Sequence, residues 1–441
     1  MSISNLHVDT AVSWVRRCFL LIWVHLLFLW TLWGCQVNGL NAVDFSVLPS
    51  LSRPANVSQI YYGIMFDAGS TGTRLHIYTF RHKHPDELPV LDNESFHSVK
   101  PGLSAYADTP EIAGHTIREL LKVAMRTIPS DEWRRTPLLL RATAGFRLLP
   151  TSKAQALLQE VQDVFDEFPF HVPADSVRIM NGTNEGVLAW VTVNFLTGYL
   201  HPNRQTTVGI LDLGGGSTQI TFLPKSKKTI ESADPDYIAK FHMFNSTYRL
   251  YTHSYLGNGI KAARLWALGA LGSDGLEQKV FKSSCLPKKS TERFSFGGLI
   301  YHVSGMTEGK TGFQMCYQEM LKVVKGIIKQ PYELKNTSTF YAFSYYFDHA
   351  VEAGLIDEAK GGAVKIRDIR RRAMELCNRP SDLNPVNHFL CMDLTYITCL
   401  LIDGFGFEDS TVLELTKKVN NVETSWALGA TINHFQNLRI H

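Results

Sequence analysis

Apolar positions along the chain switch between the period of a strand and the period of a helix. From Tyr61, the runs YYGIMF and LHIYTF flank a polar, glycine-bearing interval over 67–74, which predicts two strands in a hairpin setting. EIAGHTIRELLKVAM has a helical period that places Ile112, Ile117, Leu120, Leu121 and Ala124 on one face. PLLLRATAG predicts a buried strand running into a loop, and SKAQALLQEVQDVF a second amphipathic helix with Leu157, Leu158, Val161, Val164 and Phe165 on its apolar side. SVRIMNGTNEG predicts a short strand and a turn, followed by the apolar run VLAWVTVNFL. Strand, strand, helix, strand, helix, strand, helix is the order of a mixed α/β lobe.

The pattern then restarts. IMFDAGSTGTRLHIYTF at Ile64 and GILDLGGGSTQITF at Gly209 share one scheme, an apolar run ending on a carboxylate and a small, hydroxyl-rich turn before a second strand. An internal repeat of this kind implies two lobes of related architecture. Residues 225–338 are more irregular and rich in Lys, Ser and Gly, so they are expected to decorate the second lobe. VETSWALGATINHFQNL predicts a closing helix.

Both ends of the chain add to this picture. Arg16 and Arg17 precede CFLLIWVHLLFLWTLWGC, broken only by His25 and Thr31, and this segment within residues 1–45 reads as a secretory signal, cleaved near Val37 to Gly39, or as a signal anchor. No second apolar span is seen at the C-terminal end. Five N-glycosylation sequons, at Asn56, Asn93, Asn181, Asn245 and Asn336, agree with a secretory compartment. Of seven cysteines, Cys18 and Cys35 belong to the leader. For the others an oxidising lumen makes local disulfides the simplest pairing, Cys285 with Cys316 and Cys377 with Cys391, leaving Cys399 over. A zinc site is the poorer reading, because no two cysteines have the close spacing such sites show. With 45% apolar and 19% charged residues the 441-residue chain has material for two to three domains. Its net charge of +3 offers no argument for nucleic acid as a partner.

The doubled turn carries the candidate chemistry. Gly69, Gly72, Gly214, Gly215 and Gly216 let backbone N–H groups approach a phosphate, while Ser70, Thr71, Thr73, Ser217 and Thr218 offer hydroxyls. Asp67 and Asp212 suit a hard divalent cation, Ca²⁺ or Mg²⁺. One such turn alone is more often a hairpin whose Asp caps its own backbone. Two copies with matched flanking strands favour phosphate. Hydrolysis also needs a base, and Glu185 follows Asn184, a good N-cap, at the start of an apolar helix. An isolated Glu there simply complements the helix dipole; its place between the two turns argues for activating water. There is no GxxxxGK[ST], no GxSxG and no histidine–metal motif, and the sixteen histidines are scattered.

Five motifs, in order, resemble the apyrase-conserved regions of the nucleoside triphosphate diphosphohydrolase (apyrase) family: DAGSTGTR (67–74), ATAGFRLLP (142–150), NGTNEGVLAW (181–190), DLGGGSTQI (212–220) and SWALGA (425–430). The likeness runs from about Tyr62 to the C-terminus. SVKPGLSAY, FNSTYRLYTHSYLG, FYAFSYYFD and LTKKVNNVET are most similar to the type 5 branch, which with type 6 comprises the nucleoside diphosphatases of the endoplasmic reticulum, Golgi or secreted pool.

The resemblance implies an actin-like, RNase H-like fold of two lobes with the nucleotide in a central cleft. It divides the chain into a leader and linker (1–45), a first lobe (46–184 plus 425–441) and a second lobe with insertions (185–424), the last helix returning to the first lobe. By motif, Glu185 takes the proton from water, and Ser217 and Gln219 position that water. Asp67 and Asp212 organise Ca²⁺ or Mg²⁺ through its water shell, with Thr143 and Trp426 beside it. Ser70, Thr71, Gly72, Thr73, Arg74, Gly214, Gly215 and Gly216 surround the phosphates. The deduced disulfide pairing fits the branch. Gly216 departs from the usual Ala, and the base-binding Tyr and Arg of the surface enzymes have no clean counterpart, which leaves Tyr346, Phe347 and Phe405 as candidates for stacking on the base.

A glycan on Asn181 would crowd Glu185, so the expected glycan sites are Asn56, Asn93, Asn245 and Asn336. The implied activity is conversion of UDP or GDP to the monophosphate by direct water attack, in the lumen of the endoplasmic reticulum, the Golgi or outside the cell, in support of glycoprotein folding. The expected partner is the nucleoside diphosphate alone, on a monomer that meets a membrane only through an uncleaved N-terminal segment. The alternatives are a broad tri- and diphosphatase, a sugar kinase of the same superfold, and a nucleotide-regulated binding protein, which needs a partner-binding domain beyond residue 441.

Overall fold

A computed structural model describes residues 59–82, 90–200, 206–244, 246–270, 279–332, 334, 339–379 and 387–437. The leader and the sequons at Asn56, Asn245 and Asn336 lie outside the described residues. β1 (Gln59–Ala68) and β2 (Thr73–His82) pair as the expected antiparallel hairpin, and β3 (Val90–Val99) adds antiparallel to β2. β4 (Leu138–Ala142) lies parallel to β1 and β5 (Val177–Ile179) parallel to β4, giving the order β3-β2-β1-β4-β5. Alternate residues of these strands, among them Ile64, Phe66, Leu75, Ile77, Leu138 and Leu140, are buried in one core with residues of the helices Pro110–Thr127 and Thr151–Asp166. Burying each such side chain is worth about 1.5–3 kcal/mol. The apolar stripe of the first helix is Ala113, Ile117, Leu120, Leu121 and Ala124. Ile112 sits one position out of phase and is exposed, correcting the sequence reading.

The second sheet begins with another hairpin, β6 (Gly209–Leu213) and β7 (Ser217–Phe222). β9 (Ser246–Leu256) pairs antiparallel with β7, and β8 (Ile238–Met243) extends that edge. A separate small sheet holds β10 (Val280–Ser283), β11 (Thr291–Phe296) and β12 (Leu299–Gly305). β13 (Phe340–Ser344) runs parallel to β6, β15 (Val412–Leu415) parallel to β13, and β14 (Gly362–Lys365) closes the edge antiparallel to β15. The order β14-β15-β13-β6-β7-β9-β8 therefore contains β9-β7-β6-β13-β15, a strand-for-strand copy of the first sheet. β8 and β9 are thus part of the central sheet, although the polar composition around them read as decoration.

The helix Gly182–Leu196 is buried on almost every side, packing on β7, β9 and the closing helix. The closing helix spans Ala427–Asn437 and begins later than expected, because β16 (Lys418–Val419) and β17 (Val422–Glu423) form a short hairpin before it. It docks on β1, with Phe435 edge-on to Tyr61 at 5.0 Å, and on the Gly182–Leu196 helix, where Gly429 N–H donates to Thr192 Oγ1 at 2.8 Å. Disulfides join Cys285 to Cys316 and Cys377 to Cys391, and Cys399 is a buried free thiol. Asn93 is exposed on β3. Among the described residues no helix is long and apolar enough to cross a membrane.

Candidate active site

The two hairpin turns close in the same way. Gly69 N–H donates to Gly72 O and Gly214 N–H to Ser217 O, each at 3.0 Å, two and five positions after the respective Asp. In the second turn the carbonyls of Gly214 and Gly215 accept from the N–H groups of Ile260 and Lys261, at the start of the helix Ile260–Leu268. Those carbonyls are satisfied from behind. The turns also touch: a Cβ on Gly215 would lie 2.4 Å from Thr71 Cγ2 and 2.8 Å from Ser70 Oγ. Glycine is needed there for the space it leaves, since its backbone is not in the left-handed region.

Around the turns opens a cavity of ≈ 290 Å³ lined by Asp67, Ser70, Thr71, Arg74, Thr143, Glu185, Asp212, Gly214, Gly215, Gly216, Ser217, Phe347 and Trp426 among the residues expected from sequence. Gly72, Thr73 and Gln219 are not in its wall. Gln219 stands directly behind Ser217, to whose Oγ its Nε2 donates at 2.9 Å. Two aromatic candidates must be corrected as cleft residues. Phe405 is fully buried in the second-lobe core against Tyr255 and Phe407, and Tyr346 is buried in the same core, one helical step away from the cleft-lining Tyr345 and Phe347.

Glu185 lies in the first turn of its helix, which starts at Gly182. The cap is Asn181, whose Oδ1 accepts the N–H of Asn184 at 2.7 Å, so Asn184 is not the cap read from sequence. Asn181 fits better because its extended backbone precedes the first helical residue.

Three buried carboxylates, Asp67, Glu185 and Asp212, share this cleft. Asp67 Oδ2 accepts from Arg74 Nη1 at 2.8 Å, and its Oδ1 is buried with no hydrogen-bond partner among the described residues. Burial, and then the negative charge of Glu185, push the Asp212 carboxyl up to about 7, while a hydrogen bond from Ser344 and the charge of Arg74 oppose the shift. Ser344 holds a left-handed φ of 58° where β13 breaks into the helix Tyr345–Glu352. Burial also raises Glu185, and Arg147 works against it.

Arg147, which the sequence reading passed over, extends from the short helix Ala144–Arg147 after β4. It donates to Glu185 Oε2 at 2.8 Å, to Met180 O at 2.9 Å and to Ser217 Oγ at 3.3 Å. Its one sequence signal is a basic side chain inside ATAGFRLLP, directly after a buried strand. Ser344, Tyr345 and Ser254 were also missed. Ser254 accepts from Gln219 Nε2 at 2.8 Å, and Tyr345 lines the cleft. A pair of amide-bearing turns facing clustered carboxylates can hold a phosphate chain with a hard cation and present a base to water.

Residues 54–441 match the GDA1/CD39 (nucleoside phosphatase) family. The chain is 57% identical over 388 residues to the human "Nucleoside diphosphate phosphatase ENTPD5", covering 88% of this chain and 90% of that protein. Identity to "Ectonucleoside triphosphate diphosphohydrolase 5" of Gallus gallus is 56% over 395 residues, 89% of this chain and 92% of the relative. The human "Ectonucleoside triphosphate diphosphohydrolase 6" is 47% identical over 407 residues, 92% of this chain and 81% of the relative. In fold, the chain is similar to a crystal structure of nucleoside triphosphate hydrolases from Neospora caninum, with a TM-score of 0.61 at 14% identity over 91% of this chain and 96% of that one. With both turns, the Glu185 helix and the closing helix inside the matched region, this two-lobed, actin-like α/β protein belongs to the GDA1/CD39 family of nucleoside phosphatases.

Proposed function

We propose that the protein is a metal-dependent phosphohydrolase that converts nucleoside diphosphates, UDP or GDP, to the monophosphate and phosphate. The observation that carries this reading is Glu185, a buried carboxylate set between two facing turns and tied through Arg147 to Ser217 of the second turn. Ser70, Thr71, Arg74 and the amides of both turns take the phosphates, with Gly72 and Thr73 shaping the first turn from behind. Water attacks the terminal phosphorus in line, its proton passes to Glu185, and the nucleoside monophosphate leaves, with no phosphoenzyme. Ser217, backed by Gln219, borders that reaction. Phe347 is the one stacking candidate retained from the sequence reading, and Tyr345 is an aromatic neighbour in the same wall.

A divalent cation suits this site. Asp67 Oδ1 is buried and unpartnered, and three oxygen-donor side chains of like charge converge, as Ca²⁺ or Mg²⁺ requires. Asp67 and Asp212 hold it, directly or through water, beside Thr143 and Trp426. When bound, the ion offsets the charge of the phosphates and of the carboxylates themselves.

The preference for diphosphates rests on the human relative named for that activity. A secretory location, in the endoplasmic reticulum, the Golgi or outside the cell, is supported by the leader pattern and two disulfides. We take the molecule as a monomer, with lobes divided as 46–184 plus 425–441 and 185–424. Docking of the closing helix on β1 supports that return. The test is phosphate release from UDP, GDP, ADP and UTP, with and without Ca²⁺ or Mg²⁺. Glu185→Gln should lose roughly 100-fold or more in kcat. Unchanged turnover in that variant removes the base assignment, and equal rates on di- and triphosphates remove the diphosphatase.

A further inference from the structure

Behind the cleft wall Ser217 Oγ receives two donors, Arg147 Nη2 at 3.3 Å and Gln219 Nε2 at 2.9 Å. A hydroxyl has two acceptor lone pairs and one proton, so with both lone pairs engaged its remaining capacity is to donate. Gln219 is itself anchored, its other amide N–H going to Ser254 Oγ at 2.8 Å. The register explains the placement. Asp212 lies opposite Gln219 between β6 and β7, and Gln219 opposite Ser254 between β7 and β9, so one row crosses the sheet from the candidate cation ligand to Ser254. Ser254 also abuts the start of the helix that carries Glu185, since a Cβ at Gly182 would lie 2.3 Å from Ser254 Cβ.

We propose that Ser254 is a positioning residue: by anchoring Gln219, it acts with Arg147 to make Ser217 a hydrogen-bond donor into the cleft, toward the attacking water. As a donor, Ser217 holds the attacking water by its oxygen and leaves the water's protons to Glu185. This rests on the phosphohydrolase reading. Without Ser254 the Gln219 amide is free to turn, and the Ser217 proton can point back at its own network, where it does nothing for the water.

The experiment compares Ser254→Thr with Ser254→Val, which have nearly the same shape and differ in the hydroxyl, in the full chain with UDP and Mg²⁺. The Val variant should lose about fivefold to tenfold in kcat with KM and Tm close to those of the Thr variant, which keeps the anchor. In a Ser217→Ala background the Thr and Val variants should turn over alike, because Ser254 acts through Ser217. Equal rates for Thr and Val in the otherwise native chain, or the same Val loss with Ser217 absent, overturn the proposal. Absence of phosphate release from UDP by the native chain with Mg²⁺ overturns instead the hydrolase reading on which it stands.

Discussion

Asp212 shows how much a single buried charge can cost. Its folded pKa, near 7, lies above the ordinary Asp value of about 3.9, so the folded state binds more protons than the unfolded state between those limits. The stability this group contributes is therefore full below about pH 4 and lost as the pH rises through about 7. In chelator, Asp212→Asn should raise Tm at pH 7.5 by a few degrees and leave it nearly unchanged at pH 4, as read by thermal scans at both values. Added Ca²⁺ or Mg²⁺ should raise the Tm of the native chain at pH 7.5 and do less for the variant. A Tm for Asp212→Asn below native in chelator at pH 7.5 would contradict the charge reading.

At the level of elements, the two turns work only while they touch. Ala at Gly215 would set a methyl 2.4 Å from Thr71 Cγ2, closer than carbon atoms pack, so either the phosphate-facing Thr71 and Ser70 side chains turn aside or the turns separate. Gly215→Ala should reduce kcat/KM about tenfold or more, with little change in the urea midpoint, because the hairpin hydrogen bonds remain. Wild-type kcat/KM would mean that the spacing of the turns is not limiting. Much of this element was legible in advance, since hairpin, glycines and carboxylate all lie within a few residues of one another. The helices were legible from period alone, although Ile112 and the Asn184 cap show the one-to-three-residue error that comes from reading a face or a boundary without its neighbours.

For the whole molecule, one disulfide ties Cys285 to the helix Phe313–Val324 and the other ties the helix Ile366–Cys377 to the helix Leu390–Cys399. Cys285–Cys316 spans a separation of 31 residues and Cys377–Cys391 one of 14. Removing either pair as a double Ser variant should cost about 3 kcal/mol in urea unfolding, the longer span slightly more. No change in midpoint would show that residual structure already restrains these segments in the unfolded chain. The sequence by itself determined the duplication, the main elements, and the carboxylates and hydroxyls of the site, because turn chemistry and hydrophobic period are local properties of the chain. Only the tertiary structure decided that β8 and β9 complete the central sheet, that Tyr346 and Phe405 belong to the core, and that Arg147 and Ser254 meet Ser217 and Gln219. Those last contacts join positions 70 and 35 residues apart. Strand register and lobe packing create them, and neither leaves a trace in the residues on either side.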